Sequence, residues 1–242
     1  MRDASRCLTP HAMPYYTTSL LSQFDDDRSR RRSMLLAAGT GAALVAIAAT
    51  AATLVGRGGA LARHVDRPIR RRLPGIGGPA RRGARLRSPA TQLVAGIGDQ
   101  WTTSIVAAAG ALAAARRDPR RGLPVLAAAG LSAALHTALK PLVRRPRPLV
   151  ARLTGKRTSS FPSGHALRGA SVFGVLAHAA AREGMMPGAV AYPVAAALAV
   201  GTGSARVAQD RHWTTDLVGG WALGTAVAAA CSAWYDRAAT GA

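Results

Sequence analysis

The sequence predicts an all-α protein, a polytopic membrane helical bundle of about six transmembrane helices. Three observations carry that expectation. Hydrophobic residues make up 49% of the chain, yet the formal net charge is +21, and the arginines cluster between apolar runs rather than inside them. Six such runs in 242 residues would leave a soluble bundle too little polar surface. The runs are rich in Ala, Gly and Leu and poor in aromatic residues, a composition suited to close helix–helix contact in lipid. So large a basic excess implies an anionic partner, either nucleic acid or a membrane surface bearing phosphates. The apolar runs decide for the membrane. A nucleic-acid binder would carry its arginines as a stripe with interleaved aromatics, whereas here they flank the runs.

Residues 1–33 are polar, lack an apolar period and end in Arg28, Arg30, Arg31 and Arg32, which reads as a disordered basic tail ahead of a single domain over 34–242. Residues 34–56 carry no charge and can supply one span, which takes about 20 apolar residues. A cleaved signal sequence competes, because Arg31-Arg32-Ser33-Met34-Leu35-Leu36 faintly resembles a twin-arginine signal. The run is longer than the usual h-region of about 7–15 residues, which favours an uncleaved helix. Residues 57–87 are rich in Arg, Gly and Pro and read as a solvated basic loop against lipid headgroups, with no residue given a role. The sharper alternative is an interfacial segment that draws in anionic substrate. Five further apolar runs follow at about 95–115, 122–139, 164–181, 184–205 and 216–235, with Asp99 and Arg168 intruding near the ends of two of them. Cys7 and Cys231 form neither a disulfide framework nor a metal-ligand spacing.

Three polar clusters lie where these runs begin and end. In 206–216, His212 and Asp216 are four apart and so lie one helical turn apart on one face. A carboxylate placed there can accept the Nδ1 proton of the imidazole and leave Nε2 free as a nucleophile, while Arg206 supplies a forked donor suited to phosphate. In 140–148, Lys140 and Arg147 bracket a segment stiffened by Pro141, Pro146 and Pro148. In Phe161-Pro162-Ser163-Gly164-His165, Ser163 is placed as an N-cap and Gly164 lets an anion approach the free N–H groups of a helix start, beside His165. Lys140 ends the third span and His165 opens the fourth. Arg206 ends the fifth, and His212 with Asp216 opens the sixth. All three clusters therefore fall on one membrane face, whichever face that is. The result is an anion site with a nucleophile and an acid.

These residues resemble the type 2 phosphatidic acid phosphatases, also called lipid phosphate phosphatases. The family pattern is K-x6-R-P, then P-S-G-H, then S-R-x5-H-x3-D. It is met by Lys140 with Arg147-Pro148, by Pro162-Ser163-Gly164-His165, and by Arg206, His212 and Asp216, all within 140–216. Ala205 departs from it, standing where the family has a serine. The resemblance implies an integral membrane phosphatase acting on a lipid phosphate or isoprenoid pyrophosphate, with neither metal nor other cofactor and no nucleic-acid partner. His212 would form a phosphohistidine with Asp216 orienting it, and His165 would protonate the leaving oxygen and then activate water. Lys140, Arg147, Arg206, Ser163 and the Gly164 N–H would bind the phosphoryl oxygens. Phosphatidic acid, phosphatidylglycerol phosphate and polyprenyl pyrophosphate are not separated by these motifs. The alternatives are a non-catalytic membrane protein that binds phosphorylated lipid and a vanadium-dependent haloperoxidase, whose soluble chain the apolar runs oppose. The expected location is a bacterial inner (plasma) membrane with the site facing outward, although 57–87 then lies outside as well. Arg168 reads either as reaching the pocket mouth or as a snorkelling or buried structural arginine, and His136 and His178 as structural residues. Trp101, Trp213 and Trp234 read as interface anchors.

Overall fold

The computed structural model describes residues 62–72, 88–153, 155 and 158–240. The expected tail 1–33, the expected first span 34–56 and most of the basic loop 57–87 lie outside them. The described residues belong to one compact unit, Ala37–Ala242, and are helical wherever they are regular.

A π-helical turn, Ala62–Asp66, runs into the short α1 (Arg67–Arg72). The apolar run expected at 95–115 is divided into α2 (Pro89–Ile97) and α3 (Gln100–Ala115). The division falls at Gly98-Asp99, where Asp99 takes the N-cap of α3 and accepts the Trp101 N–H at 3.4 Å. The long α4 (Pro119–Val143) starts on Asp118, which accepts the Arg120 N–H at 2.9 Å, with Pro119 in the first turn, where its missing donor costs nothing. It continues through Pro141 and stops at Arg144, whose φ of 47° is left-handed. Pro141 thus stiffens the end of a helix rather than the loop after it. A five-residue α5 (Leu149–Leu153) precedes α6 (Gly164–Arg182), α7 (Gly188–Ala208) and α8 (Thr214–Thr240).

Among the described residues, α4, α7 and α8 are long and apolar enough to cross a membrane. Their large side chains point outward: Leu123, Leu126 and Leu131 on α4, and Val190, Val194 and Val200 on α7, are exposed. The interior is built largely of alanine, with Ala111, Ala114, Val125, Ala128, Val175 and Ala179 in its main cluster. That inverted pattern belongs to a bundle whose helices associate by close packing rather than by escape from water. The more polar α6 sits at the centre, packed on α3, α4, α7 and α8. It carries Arg168 and two histidines, and its first six residues are all buried.

Close approach between α6 and α8 positions the site. A Cβ on Gly220 would stand 2.8 Å from the Ser163 carbonyl oxygen, and one on Gly224 would collide with the Leu167 carbonyl oxygen. With no side chain at two positions one turn apart, the start of α8 lies directly against the start of α6. The Ser163 N–H then donates to the Asp216 carbonyl at 3.1 Å. At the other end of the bundle Glu183, just past α6, accepts from Arg117 at 2.6 Å, from Tyr235 at 2.8 Å and from Arg121.

Candidate active site

His212 lies in the turn between α7 and α8, and Asp216 lies in the first turn of α8. Both are buried, with His212 Nδ1 3.5 Å from Asp216 Oδ2. A few tenths of an ångström would close this gap into a hydrogen bond. The other ring nitrogen, Nε2, lies 3.3 Å from Arg147 Nη1. A guanidinium can only donate, so Nε2 is the unprotonated nitrogen and Nδ1 carries its hydrogen toward the carboxylate. Burial pushes the His212 imidazole below its ordinary pKa and Arg147 and Arg206 push the same way, while Asp216 opposes them. The ring is therefore neutral and its lone pair sits at Nε2.

Arg147 is held by backbone carbonyls on two segments. Its Nε donates to Thr158 at 2.9 Å, its Nη2 to Ser159 at 3.2 Å and its Nη1 to Arg211 at 2.8 Å. Burial lowers its pKa, with Asp216 opposing. Lys140 and Arg147 share a basic cleft of about 700 Å³ with Arg144, Arg145 and Arg152. Arg206 donates to Gln209 Oε1 at 2.7 Å, and the Gln209 amide donates to the Thr91 carbonyl at 3.2 Å. Gln209 thus steadies the arginine that Ala205, itself buried, cannot support with a hydroxyl.

Ser163 takes the N-cap position of α6, but its hydroxyl makes no capping bond. Its Oγ, like Arg168 Nε and Arg206 Nε, is buried with no hydrogen-bond partner among the described residues. Such donors are rarely left unpaired, and three of them at one end of the bundle fit an anion. His165 is buried on the same turn, with Nε2 3.9 Å from Asp99 Oδ1. The structure thus brings His212, Asp216 and Arg147 into one contact group, joins Ser163 to Asp216 through the backbone, and lines a cleft with Lys140 and Arg147.

Residues 121–239 match the family model of the PAP2 superfamily, and this stretch contains His165, His212, Asp216 and every expected cation. Over that stretch, just under half of its length, the chain is similar to the PAP2 superfamily. It is 34% identical over 108 residues to phosphatidylglycerophosphatase B of Bacillus subtilis (strain 168), an alignment covering 43% of this chain and 52% of that protein. The chain thus spans about half the length of the curated relative it matches. A crystal structure described as the first transmembrane PAP2 type phosphatidylglycerolphosphate phosphatase, also from Bacillus subtilis, matches with a TM-score of 0.64 at 22% identity. That match covers 82% of this chain and 96% of the other, and shows that the two share a fold.

Several residues of this candidate site were not singled out by sequence. Arg145 is buried and bridges Asp216 and Asp66. Asp66 belongs to the loop expected to be solvated, yet it is fully buried. Its one visible signal is that it is the only acid in 57–87. Trp213, expected as an interface anchor, donates its indole N–H to the Pro146 carbonyl at 2.9 Å, with the Arg70 and Arg145 guanidinium groups over its ring. Arg168 is buried, so it does not snorkel. A Cβ on Gly164 would lie 2.9 Å from its Nη1 and 2.7 Å from His136 Nε2, which puts His136 in the site wall rather than in remote structure. His178 does pair away from the site, with Tyr192 and Asp236, each at 3.0 Å.

Proposed function

We propose that this protein is an integral membrane phosphatase that hydrolyses a lipid phosphate or isoprenoid pyrophosphate through a phosphohistidine intermediate, without a metal. The observation that carries the reading is the orientation of His212, with Nδ1 toward Asp216 and Nε2 beside the phosphate-type donor Arg147. In the first step Nε2 attacks phosphorus, the phosphorus–oxygen bond to the leaving group breaks, and His165 gives that oxygen a proton. In the second step His165 takes a proton from water. The resulting hydroxide attacks the phosphohistidine, releasing inorganic phosphate and restoring His212. Arg147, Arg206, Lys140, the Ser163 hydroxyl and the Gly164 N–H stabilise the phosphoryl oxygens while they are most charged.

The site lies at a bundle end, where a headgroup can reach it while its chains stay in lipid. The name of the Bacillus relative makes phosphatidylglycerol phosphate the first substrate to test, with phosphatidic acid and farnesyl diphosphate beside it. Phosphate release by detergent-purified protein is measured with EDTA present, for wild type and His212→Ala. Release that resists EDTA and vanishes in the variant is the expected result. Release that survives His212→Ala excludes this nucleophile. A wild type that binds these lipids but releases nothing is a binding protein instead.

The site faces outward in this reading, because Arg116, Arg117, Arg120 and Arg121 lie at the opposite bundle end and mark the cytoplasmic side. Single cysteines placed at the exposed Arg144 and Arg116 test it. A membrane-impermeant maleimide applied to intact cells labels the first and spares the second, and the reverse pattern inverts the orientation.

A further inference from the structure

We propose that Asp66 is a positioning residue for this reaction, acting through Arg145 and Thr215 to fix the Asp216 carboxylate that orients His212. The inference rests on the phosphatase reading above. Asp66 and Arg145 are both buried. Asp66 Oδ2 accepts from Arg145 Nη2 and from the Thr215 hydroxyl at 2.9 Å, while its Oδ1 accepts the Thr215 N–H at 3.0 Å. The other nitrogen of the same fork, Arg145 Nη1, donates to Asp216 Oδ1 and to the Thr215 hydroxyl at 2.7 Å. Oδ1 of Asp216 is thereby occupied. Its Oδ2 is left for the Trp213 N–H at 2.8 Å and for His212.

Charge makes the arrangement more than a staple. One guanidinium paired with Asp216 alone would neutralise the carboxylate, and little field would remain to hold the Nδ1 hydrogen of His212. Asp66 shares the guanidinium, so two carboxylates and one arginine leave a net negative charge on the Nδ1 side of the imidazole, opposite Arg147. The segment bearing Asp66 is also fastened one helical turn later, where Arg70 pairs with Asp210 and lies over Trp213. The two anchor points, four residues apart, fall on one face of that short helical stretch. Asp66 touches neither His212 nor the cations assigned to the phosphate. Its effect therefore belongs to the rate of phosphoryl transfer and not to substrate binding.

The test uses full-length wild type, Asp66→Asn, Arg145→Gln and the double variant in detergent. Each is mixed rapidly with the radiophosphate-labelled lipid of the panel that wild type cleaves fastest. Burst amplitude counts competent sites, and the burst rate constant reports formation of the phosphoenzyme. Asp66→Asn is expected to keep its amplitude and lose about 10- to 100-fold in rate constant, the range seen when the outer partner of a metal-ligating side chain is removed, a place analogous to that of Asp66 behind Asp216. KM should stay within about twofold, as for a group that acts only in the transition state. Because both residues act through one fork, the double variant should be no slower than Arg145→Gln. An amplitude that falls while the rate constant holds means that Asp66 only supports the fold, and losses that multiply in the double variant mean that it does not act through Arg145. Either overturns the proposal. If Asp66→Asn does not fold, Thr215→Val removes one leg of the same network. A lowered kcat at unchanged KM then supports the proposal, and an unchanged kcat overturns it. A wild type without any phosphate release removes the phosphatase reading and this role with it, whereas an active wild type beside an unaffected Asp66→Asn removes this role alone.

Discussion

Residue identity at the site follows from what each neighbour can donate or accept. Arg147 has no acceptor atom, so the His212 nitrogen beside it carries the lone pair, and only the side toward Asp216 can carry the hydrogen. Burial sets the protonation state to match. His212 is held below its ordinary value, so the nucleophile is present at high pH and is lost as pH falls through its lowered pKa. The acid limb of the kcat/KM profile for phosphate release is therefore expected below about pH 6.5, the ordinary histidine value. A limb above that value, assigned to His212 by its loss in His212→Ala, would contradict the burial seen here. Arg147 gives a second expectation. It spans three backbone carbonyls and one imidazole with a planar fork that a lysine ammonium cannot copy. Arg147→Lys keeps the charge and is expected to lose about 100-fold in kcat/KM, the cost of removing one fixed donor from a charged transition state. Activity within a few-fold of wild type would mean that charge alone suffices.

Helices bring these side chains together through their small residues. The tight contact of α6 with α8 depends on Gly220 and Gly224, and it sets the Ser163-Gly164-His165 turn against Asp216. Gly224→Val would drive a branched side chain into the backbone of α6. The expected cost is about 1–3 kcal/mol, typical of overpacking, read as a lower unfolding midpoint in detergent together with reduced phosphate release. A variant with unchanged midpoint and activity would show that the two helices can separate freely. The same level explains what the sequence made legible. Apolar runs and the four-residue spacing of His212 and Asp216 are local, so the long helices α4, α6, α7 and α8 could be read from chain order alone, whereas the short α5 could not. The break at Gly98-Asp99, the continuation of α4 through Pro141 and the burial of Asp66 depend on partners far away in sequence. Arg145 stood in a run with Arg144 and Arg147, and only its distant carboxylates distinguish it from them. The contacts of Trp213 depend on distant partners in the same way, since Arg70 and Arg145 reach its ring only in the fold.

At the scale of the molecule the bundle carries charge at both ends and uses it differently. The site end gathers cations around buried donors, whereas the opposite end ties its arginines to carboxylates, Glu183 among them. Glu183 joins the α3–α4 turn, the end of α6 and the last turns of α8 through Arg117, Arg121 and Tyr235. Sequence patterning gave no hint of this latch, because a lone glutamate after a helix reads as a solvated turn residue. Burial alone would raise its pKa, but the bonds from Arg117, Tyr235 and Arg121 outweigh it and hold the carboxyl below its ordinary value. A depressed carboxylate stabilises the fold above its unfolded pKa, and that stabilisation is lost as pH falls through the folded value. Glu183→Gln is therefore expected to lower the thermal midpoint by several degrees at neutral pH, where two arginines lose their shared counter-charge. Below the ordinary carboxyl pKa of 4.5 the gap between wild type and variant should shrink, and it should close once wild-type Glu183 is itself protonated. Thermal unfolding of both proteins in one detergent across that range checks this, and a gap that stays constant with pH would mean that the latch holds by shape and not by charge. Phosphate release should track the folded fraction throughout, because Glu183 lies at the far end of the bundle and none of its partners belongs to the site.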